Sequence, residues 1–511
     1  MKKILSWLFG QTSFIIIMLA LQLYIILSSA FRIASDEALA ALNAISGVLS
    51  ILLIIHIINS RESPESKMTW IAMIAISPVL GNFFYLFIKF QSVPMMLNKT
   101  LRRIREESSP YIIQDPSIIP EVASKDKQKA NFISYMNKYA EFPAFRNTDA
   151  RYLPIGEEAW KVMLEEMEKA EKYIFLEFYI IGKGEMWSSI VDILRRKAAQ
   201  GVDVRVMYDG IGCLPRLPYR YPRELEEMGI KCKVFNPFRP FLSTVQNNRS
   251  HRKILVVDGK TAFTGGINLS DEYVNITSPY GHWKDTGMLV RGEAAFSFAV
   301  MFLELWQITN WCRENYEDFR PHDLPLYDDP GYVIPYSDSP FDNELVGETV
   351  YMDILGKARD YVHITTPYMI IDNELITALG NAAKSGVDVK VIVPHVADHW
   401  YAHAVAKAYY ADLISRGVEL YEYMPGFIHS KSFVSDDNTA VVGTINLDFR
   451  SLHHHFECAV WMYDHKTVHD VERDFQETLA QCRPITLEST RVRGLAKKAL
   501  YSVLRIFAPL M

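Results

Sequence analysis

Apolar and polar positions divide the chain into two unlike regions. No Asp, Glu, Lys or Arg falls between Lys3 and Arg32, between Glu37 and Arg61, or between Lys67 and Lys89. Each gap is as long as the about 20 apolar residues that a bilayer-crossing helix needs. Residues 1–100 are therefore expected to form a membrane region with two to three hydrophobic helices, and the first stretch lacks the small-residue cleavage site of a signal peptide. Lys2 and Lys3 ask for an inside N-terminus, whereas Lys89, Lys99, Arg102, Arg103 and Arg105 ask for an inside body. Three spans cannot satisfy both, and the larger downstream cluster predicts a multi-pass protein of the cell membrane with a cytoplasmic body.

Beyond this region the pattern changes period. Residues 101–145, polar and carrying Pro110, Pro116 and Pro120, read as a connector. The chain then repeats itself. Tyr173 to Ile180 reads as a buried strand, Trp187 to Gln200 as a helix and Gly201-Val-Asp-Val-Arg-Val-Met207 as the next strand. Later, Tyr361 to Tyr368, a helix through Leu375 to Ser385, and Gly386-Val-Asp-Val-Lys-Val-Ile392 restate the theme, and Met228-Gly-Ile230 is echoed by Arg416-Gly-Val418. Strands alternating with helices predict α/β units, each a parallel or mixed sheet covered on both faces. The boundaries expected are 146–328 and 329–488, followed by a basic amphipathic helix over 489–511, in which Arg491, Arg493, Lys497, Lys498 and Arg505 alternate with apolar residues. In such sheets ligands sit beyond the carboxyl ends of the strands, so a shared site would lie between the repeats.

Each repeat also carries the same charged motif. His251-Arg-Lys253 is followed by Asp258, Gly265, Gly266 and Asn268; His429-Ser-Lys431 is followed at the same offsets by Asp436, Gly443 and Asn446. A neutral imidazole can attack phosphorus, a second can protonate a departing alkoxide, and lysines can hold the non-bridging oxygens. One motif supplies one imidazole, and the repetition supplies the pair. His and Lys should share a strand face turned to the cleft. Asp258 and Asp436 complete the set His251, Lys253, Asp258, His429, Lys431, Asp436 counted as catalytic. They stand an odd number of residues from the histidines, however, and are expected to face away and tie down turns.

These residues resemble the phospholipase D superfamily, whose mark is the duplicated His-x-Lys-x4-Asp motif. Within it the chain is most similar to bacterial cardiolipin synthases, through Asn59-Ser-Arg-Glu-Ser-Pro-Glu-Ser-Lys67, Leu176-Glu-Phe-Tyr179, Thr264-Gly-Gly-Ile-Asn268 and Asn446-Leu-Asp-Phe-Arg-Ser451. The resemblance implies two phospholipase D-like α-β-α sandwich domains in pseudo-twofold arrangement, preceded by N-terminal transmembrane helices. It also implies a ping-pong phosphatidyl transfer. One phosphatidylglycerol gives its phosphatidyl group to a histidine and releases glycerol, and a second phosphatidylglycerol takes the group. Carried over by position, His251 is the nucleophile and His429 the acid that becomes the base. Lys253, Lys431, Asn268 and Asn446 bind the phosphate, with neither cofactor nor metal needed. Asp285 and Glu457, each about thirty residues after a histidine, lie where the resemblance puts the carboxylates that orient the imidazoles.

Composition narrows the alternatives. A net charge of −6 disfavours a nucleic-acid partner, although a nuclease of the superfamily, a hydrolytic phospholipase D and another phosphatidyltransferase share the chemistry. An inactive membrane scaffold would not need both motifs intact. The five cysteines, Cys213, Cys232, Cys312, Cys458 and Cys482, are scattered without a C-x-x-C pair and read as reduced. His56, His322, His363 and His469 read as ordinary packed or surface residues. Adjacent residues do not all converge on one ion, so the run His453-His-His455 is assigned to the rim of the site. Tyr179 and Tyr368 fit either the core or the wall of a lipid groove.

Overall fold

The structure, a computed structural model, describes residues 36–60, 62–89, 92–238, 244–310, 312–327, 329–342, 344–491 and 504–505. It divides into two compact units, one of residues 1–97 with 238–247 and 502–511, the other of residues 98–237 with 248–501.

In the first unit, helices cover Asp36–Ile58, Pro64–Ile76 and Pro78–Lys89. The stretch from Lys67 to Lys89, expected as one span, is broken at Ser77-Pro78, because proline lacks the N–H and clashes with the preceding turn. Its arms of 13 and 12 residues reach only about 18–20 Å each, short of a bilayer core of about 30 Å. At the bend a Cβ on Gly81 would lie 2.6 Å from the Ile74 backbone, so only glycine permits this approach. The helix Asp36–Ile58 runs unbroken for 23 residues and carries the polar residues Asn43, Ser46, Ser50 and His56. Ser46 and Ser50 are tied to Asn82, whose Nδ2 donates to the Ser46 carbonyl at 3.0 Å and to Ser50 Oγ at 3.0 Å. No helix among the described residues is long and apolar enough to cross a membrane, and the break at Ser77-Pro78 divides the span expected over 67–89 into two shorter helices. The first hydrophobic stretch lies outside the described residues, as do 492–503 and 506–511 of the expected C-terminal helix.

The second unit contains both repeats. Its strands are β1 (Thr148–Leu153), β2 (Tyr173–Phe178), β3 (Asp203–Asp209), β4 (Lys231–Phe235), β5 (Ile254–Val257), β6 (Thr261–Gly265), β7 (His282–Lys284) and β8 (Gly287–Gly292), then β9 (Tyr332–Asp338), β10 (Tyr361–Thr365), β11 (Met369–Ile370), β12 (Asp388–Pro394), β13 (Glu419–Tyr423), β14 (Gly426–Ile428), β15 (Ser432–Ser435), β16 (Thr439–Gly443), β17 (Leu447–Asp448), β18 (Glu457–Tyr463) and β19 (Cys482–Pro484). One sheet runs β1-β8-β6-β5-β2-β3-β4 and the other β19-β13-β12-β10-β15-β16-β18-β9. Read from the opposite end, the second order reproduces the first and adds β19 beyond β13. Both sheets are mixed: β2, β3 and β4 are parallel, as are β10, β12 and β13, and the remaining neighbours are antiparallel.

Strand β2 shows why this sequence demands covering on both faces. All six of its residues are buried. Ile174, Leu176 and Phe178 join a core with Val162, Met163 and Met167 of the helix Gly156–Glu168 and Trp187, Ile190 and Leu194 of the helix Glu185–Ala199. On the opposite face Phe175 stacks on Phe302 of the helix Ala295–Asn310, with ring centroids 4.6 Å apart. An apolar run broken only by Glu177 satisfies both layers at once.

The expected connector differs from expectation. Helices Ile118–Lys125 and Lys127–Lys138 form there, the second capped by Asp126, whose Oδ1 accepts from Gln128 N at 2.8 Å and Lys129 N at 3.0 Å. Phe132 packs against Trp461 of β18, Lys129 Nζ donates to Thr439 Oγ1 at 2.6 Å, and Phe145 bridges Val333 of β9. The polar surface of this stretch conceals a buried stripe, Phe132, Ile133 and Met136, spaced as one helix face.

Candidate active site

Both His-x-Lys segments lie just before a strand, not in the ladder: residues 251–253 precede β5 and 429–431 precede β15. Because β5 is antiparallel to β2, with Glu177 opposite Ile254, the first motif sits at the carboxyl end of β2; β15 against β10 repeats this. Backbone contacts bind the two motifs to each other's repeats. His251 N donates to Phe456 O at 2.9 Å, and His429 N donates to Lys284 O at 2.7 Å. The latter continues the parallel pairing of β7 with β14.

The carboxylates follow the same exchange. His251 Nδ1 meets Glu457 Oε1 at 2.9 Å and Oε2 at 3.0 Å, and His429 Nδ1 meets Asp285 Oδ2 at 2.7 Å. Each imidazole is thus braced by the carboxylate of the other repeat, although each carboxylate follows its own repeat's histidine in sequence. Fixing Nδ1 leaves Nε2 of each ring for chemistry. Thr444 Oγ1 donates to Glu457 Oε2, and Thr286 N donates to Asp285 Oδ1 at 2.9 Å. A Cβ on Gly266 would lie 1.9 Å from Asp285 Oδ1, which gives the second glycine of Thr264-Gly-Gly its reason.

Both lysines are fully buried, and each donates from Nζ to the carbonyl of its own histidine, Lys253 to His251 O at 2.7 Å and Lys431 to His429 O. Burial, with the second ammonium nearby, pulls Lys253 down to about 7, and burial pulls Lys431 down to about 8. His251 is held well below the ordinary imidazole range by burial and then by the positive field of Lys253, His455, Lys431 and His429. Burial and Lys431 lower His429 to about 4 against the opposing pull of Asp285. Burial pushes Glu457 up to about 8. Both rings are accordingly neutral at neutral pH, the form in which imidazole is a nucleophile. The charges of both lysines and of His429 act on the His251 ring, in keeping with the backbone bonds that hold each motif against the other repeat.

Asn268 lines the same region, with Oδ1 accepting from Ile180 N at 3.0 Å, whereas Asn446 Oδ1 is buried without a hydrogen-bond partner. Asp258 and Asp436, counted with the catalytic set, do not join it. Asp258 accepts from Glu171 N, Lys172 N and Tyr173 N, each at 2.8 Å, and Asp436 from Arg359 N, Asp360 N and Tyr361 N at 2.9, 3.0 and 3.0 Å. Each thereby fastens the start of a central strand, from a left-handed backbone with φ of 52°. Tyr179 stands edge-on to His251 at 5.1 Å, while Tyr368 donates to Asp398. Among the described residues, two groups have donor atoms within 4.8 Å of one another, as a metal ion would require: His251, His455 and Glu457, and Glu348, Asp372 and His453.

Sequence reasoning passed over several positioning residues. Arg252 donates from Nε to Glu177 Oε1 at 3.0 Å and from Nη2 to Oε2 at 2.7 Å, and Arg249 forms a similar pair with Asp209 at 2.8 Å. These buried pairs pin the residues on both sides of His251 to the ends of β2 and β3. Their signal was the isolated acid within the apolar runs of β2 and β3, since an unpaired buried carboxylate is prohibitively costly. Trp283 and Tyr273 pack on His429 at 5.4 and 5.6 Å.

Comparison with known proteins agrees with this architecture. The family described as cardiolipin synthase, PLD-like domain, matches residues 163–279 and again 351–479, one copy per repeat, and the phospholipase D-nuclease N-terminal family matches 48–89. A cardiolipin synthase of Geobacillus sp. (strain WCH70) is 32% identical over 87% of this chain and 88% of its own length. An uncharacterized protein of Streptococcus mutans is 45% identical over 87% and 96%. The crystal structure of phosphatidylserine synthase from Haemophilus influenzae Rd KW20 superposes with a TM-score of 0.57 at 15% identity, covering 75% of this chain and 98% of that one, which shows a shared fold. With a duplicated motif, a duplicated sheet and relatives at this identity over most of its length, the chain belongs to the cardiolipin synthase family of phospholipase D-like proteins.

Proposed function

We propose that the protein is a cardiolipin synthase, transferring a phosphatidyl group from one phosphatidylglycerol to another and releasing glycerol. The observation that carries the reading is the pair of imidazoles, each braced at Nδ1 by a buried carboxylate from the opposite repeat, beside two buried lysines.

The chemistry follows from the groups in hand. His251 Nε2 attacks phosphorus, the bond from phosphorus to the glycerol oxygen breaks, and His429 delivers its proton to that oxygen. Burial keeps His429 neutral in the free site. A phosphodiester anion placed beside it favours the imidazolium, so substrate binding itself arms the acid. Glu457 steadies the cation that forms on His251 once nitrogen is bonded to phosphorus. Neutral His429 then takes the proton from the hydroxyl of the second lipid, a new oxygen–phosphorus bond forms and the nitrogen–phosphorus bond breaks. Lys253, Lys431, Asn268 and Asn446 hold the non-bridging oxygens through the transition state.

Seating on a membrane is part of this reading. The helix Asp36–Ile58 exposes Ile45, Val48, Ile51, Leu52, Ile55 and Ile58, a continuous apolar surface of the kind that meets lipid. The purified protein, incubated with labelled phosphatidylglycerol in detergent, should yield cardiolipin and free glycerol. Phosphatidic acid as sole product would make it a hydrolase.

A further inference from the structure

The twofold symmetry of the site fails at one pair of positions. Two residues before Asp285 stands Trp283, and two residues before Glu457 stands His455. Trp283 packs on His429 at 5.4 Å and its Nε1 donates to Asp285 Oδ2 at 3.4 Å. His455 takes the equivalent place beside His251, ring centroids 5.7 Å apart, but does not complete the equivalent bond. Its Nδ1 is 3.8 Å from Glu457 Oε1, and both of its ring nitrogens are buried without a hydrogen-bond partner. The residue is only 7% exposed. Leaving a polar side chain unpaired at this depth is costly unless something else supplies the partner.

The surroundings say what kind of partner. The positive charges of Arg450, His454, Lys253 and Arg249 act together on the His455 ring, and that of Arg450 also reaches Tyr179, which stands against His251. Arg249 is committed to Asp209, whereas the exposed Arg450 forms no ion pair among the described residues. A field of this sign repels a metal cation and attracts an oxyanion. On the His429 side, by contrast, Trp283, Tyr273 and Phe427 present an aromatic wall.

The reading of the site as one that joins two phospholipids gives this anion an identity. The second lipid brings its own phosphodiester, linked through a three-carbon glycerol to the hydroxyl that attacks phosphorus. That phosphate must therefore lie beside the first, within reach of residues one ring away from the nucleophile. We propose that His455 and Arg450 form the seat for the phosphate of the acceptor lipid, and so select a phosphatidylglycerol over water or a neutral alcohol. His455 donates one N–H to a phosphate oxygen, Arg450 balances the charge, and the acceptor hydroxyl is left in line with the bond from His251 to phosphorus.

The full-length enzyme in detergent micelles, supplied with phosphatidylglycerol and labelled glycerol, tests this in one vessel. Cardiolipin reports an acceptor with a phosphate; labelled phosphatidylglycerol, formed by glycerol exchange, reports an acceptor without one. Arg450→Gln and His455→Asn should each lower the ratio of cardiolipin to exchange by about tenfold or more, the scale of one lost charge-assisted hydrogen bond. Arg450→Lys should recover part of it. A ratio within twofold of the parent in Arg450→Gln overturns the proposal, and that exposed side chain decides the matter if His455→Asn does not fold. Inorganic phosphate added at the lipid concentration should leave the parent's ratio unchanged. A fall as deep as that of Arg450→Gln would assign the seat to free phosphate instead and overturn it. Failure of the underlying reading looks different, since the parent then forms no cardiolipin at all.

Discussion

The exchange of carboxylates between repeats makes sharp claims about single residues. His251→Ala and His429→Ala should each abolish transfer almost completely, with the double variant little worse than either, because groups that act as a unit are not additive. Glu457→Gln should suppress capture of labelled phosphatidyl group on His251. Asp285→Asn should slow both capture and release, because His429 is the acid of the first step and the base of the second; single-turnover trapping of labelled enzyme follows the two steps separately, and rate losses of about 10²–10⁴-fold are expected. The pH profile is also fixed in direction. Burial and the neighbouring cations hold His251 well below the ordinary imidazole range, so the nucleophile stays neutral and kcat/KM should hold through the mildly acidic range. It should fall as pH rises past about 7 to 8, where Lys253 and Lys431 lose their protons. Lys253→Arg should move the start of that alkaline limb upward, to the range in which Lys431 titrates. At this scale the sequence was highly legible. Spacing singled out the histidines and lysines, and the family resemblance pointed to the carboxylates, but which carboxylate serves which histidine depends on a contact between repeats that no local pattern records.

At the scale of elements, the motif aspartates and the buried ion pairs are fasteners. Asp258→Ala removes three accepted hydrogen bonds at the start of β2 and should cost about 1–3 kcal/mol in denaturant unfolding, with the chemistry of the folded fraction intact. Glu177→Gln strands Arg252 in the core and should cost about 3–5 kcal/mol, with a fall in activity because His251 adjoins Arg252. The repeated strands and helices were readable because an apolar run such as β2 has few alternatives to a doubly covered strand. The helices at 118–138 were not. Prolines and charges there resemble linker composition, and the stripe Phe132, Ile133 and Met136 is short enough to escape notice beside them.

At the scale of the molecule, the single span expected over 67–89 became two shorter helices meeting at Pro78, since hydropathy registers composition and a single proline sets the length. The apolar surface of the helix Asp36–Ile58 still predicts lipid contact. Flotation with anionic vesicles should carry the full chain upward, and replacing Ile45, Val48, Leu52 and Ile55 by Ser should leave it in the dense fraction. Chelation by EDTA should leave transfer intact, because two imidazoles and two lysines provide the charge that a metal ion would otherwise supply.

The crossed bracing of His251 by Glu457 and of His429 by Asp285 makes the repeats mutually dependent. Neither half owns a finished catalytic group, so a lone repeat could function only by finding a twin and lending it a carboxylate. Severed between residues 329 and 331 and produced as two polypeptides, the halves should be inert apart and active when mixed. Damage to an acid in one fragment would then surface as a crippled histidine in the other.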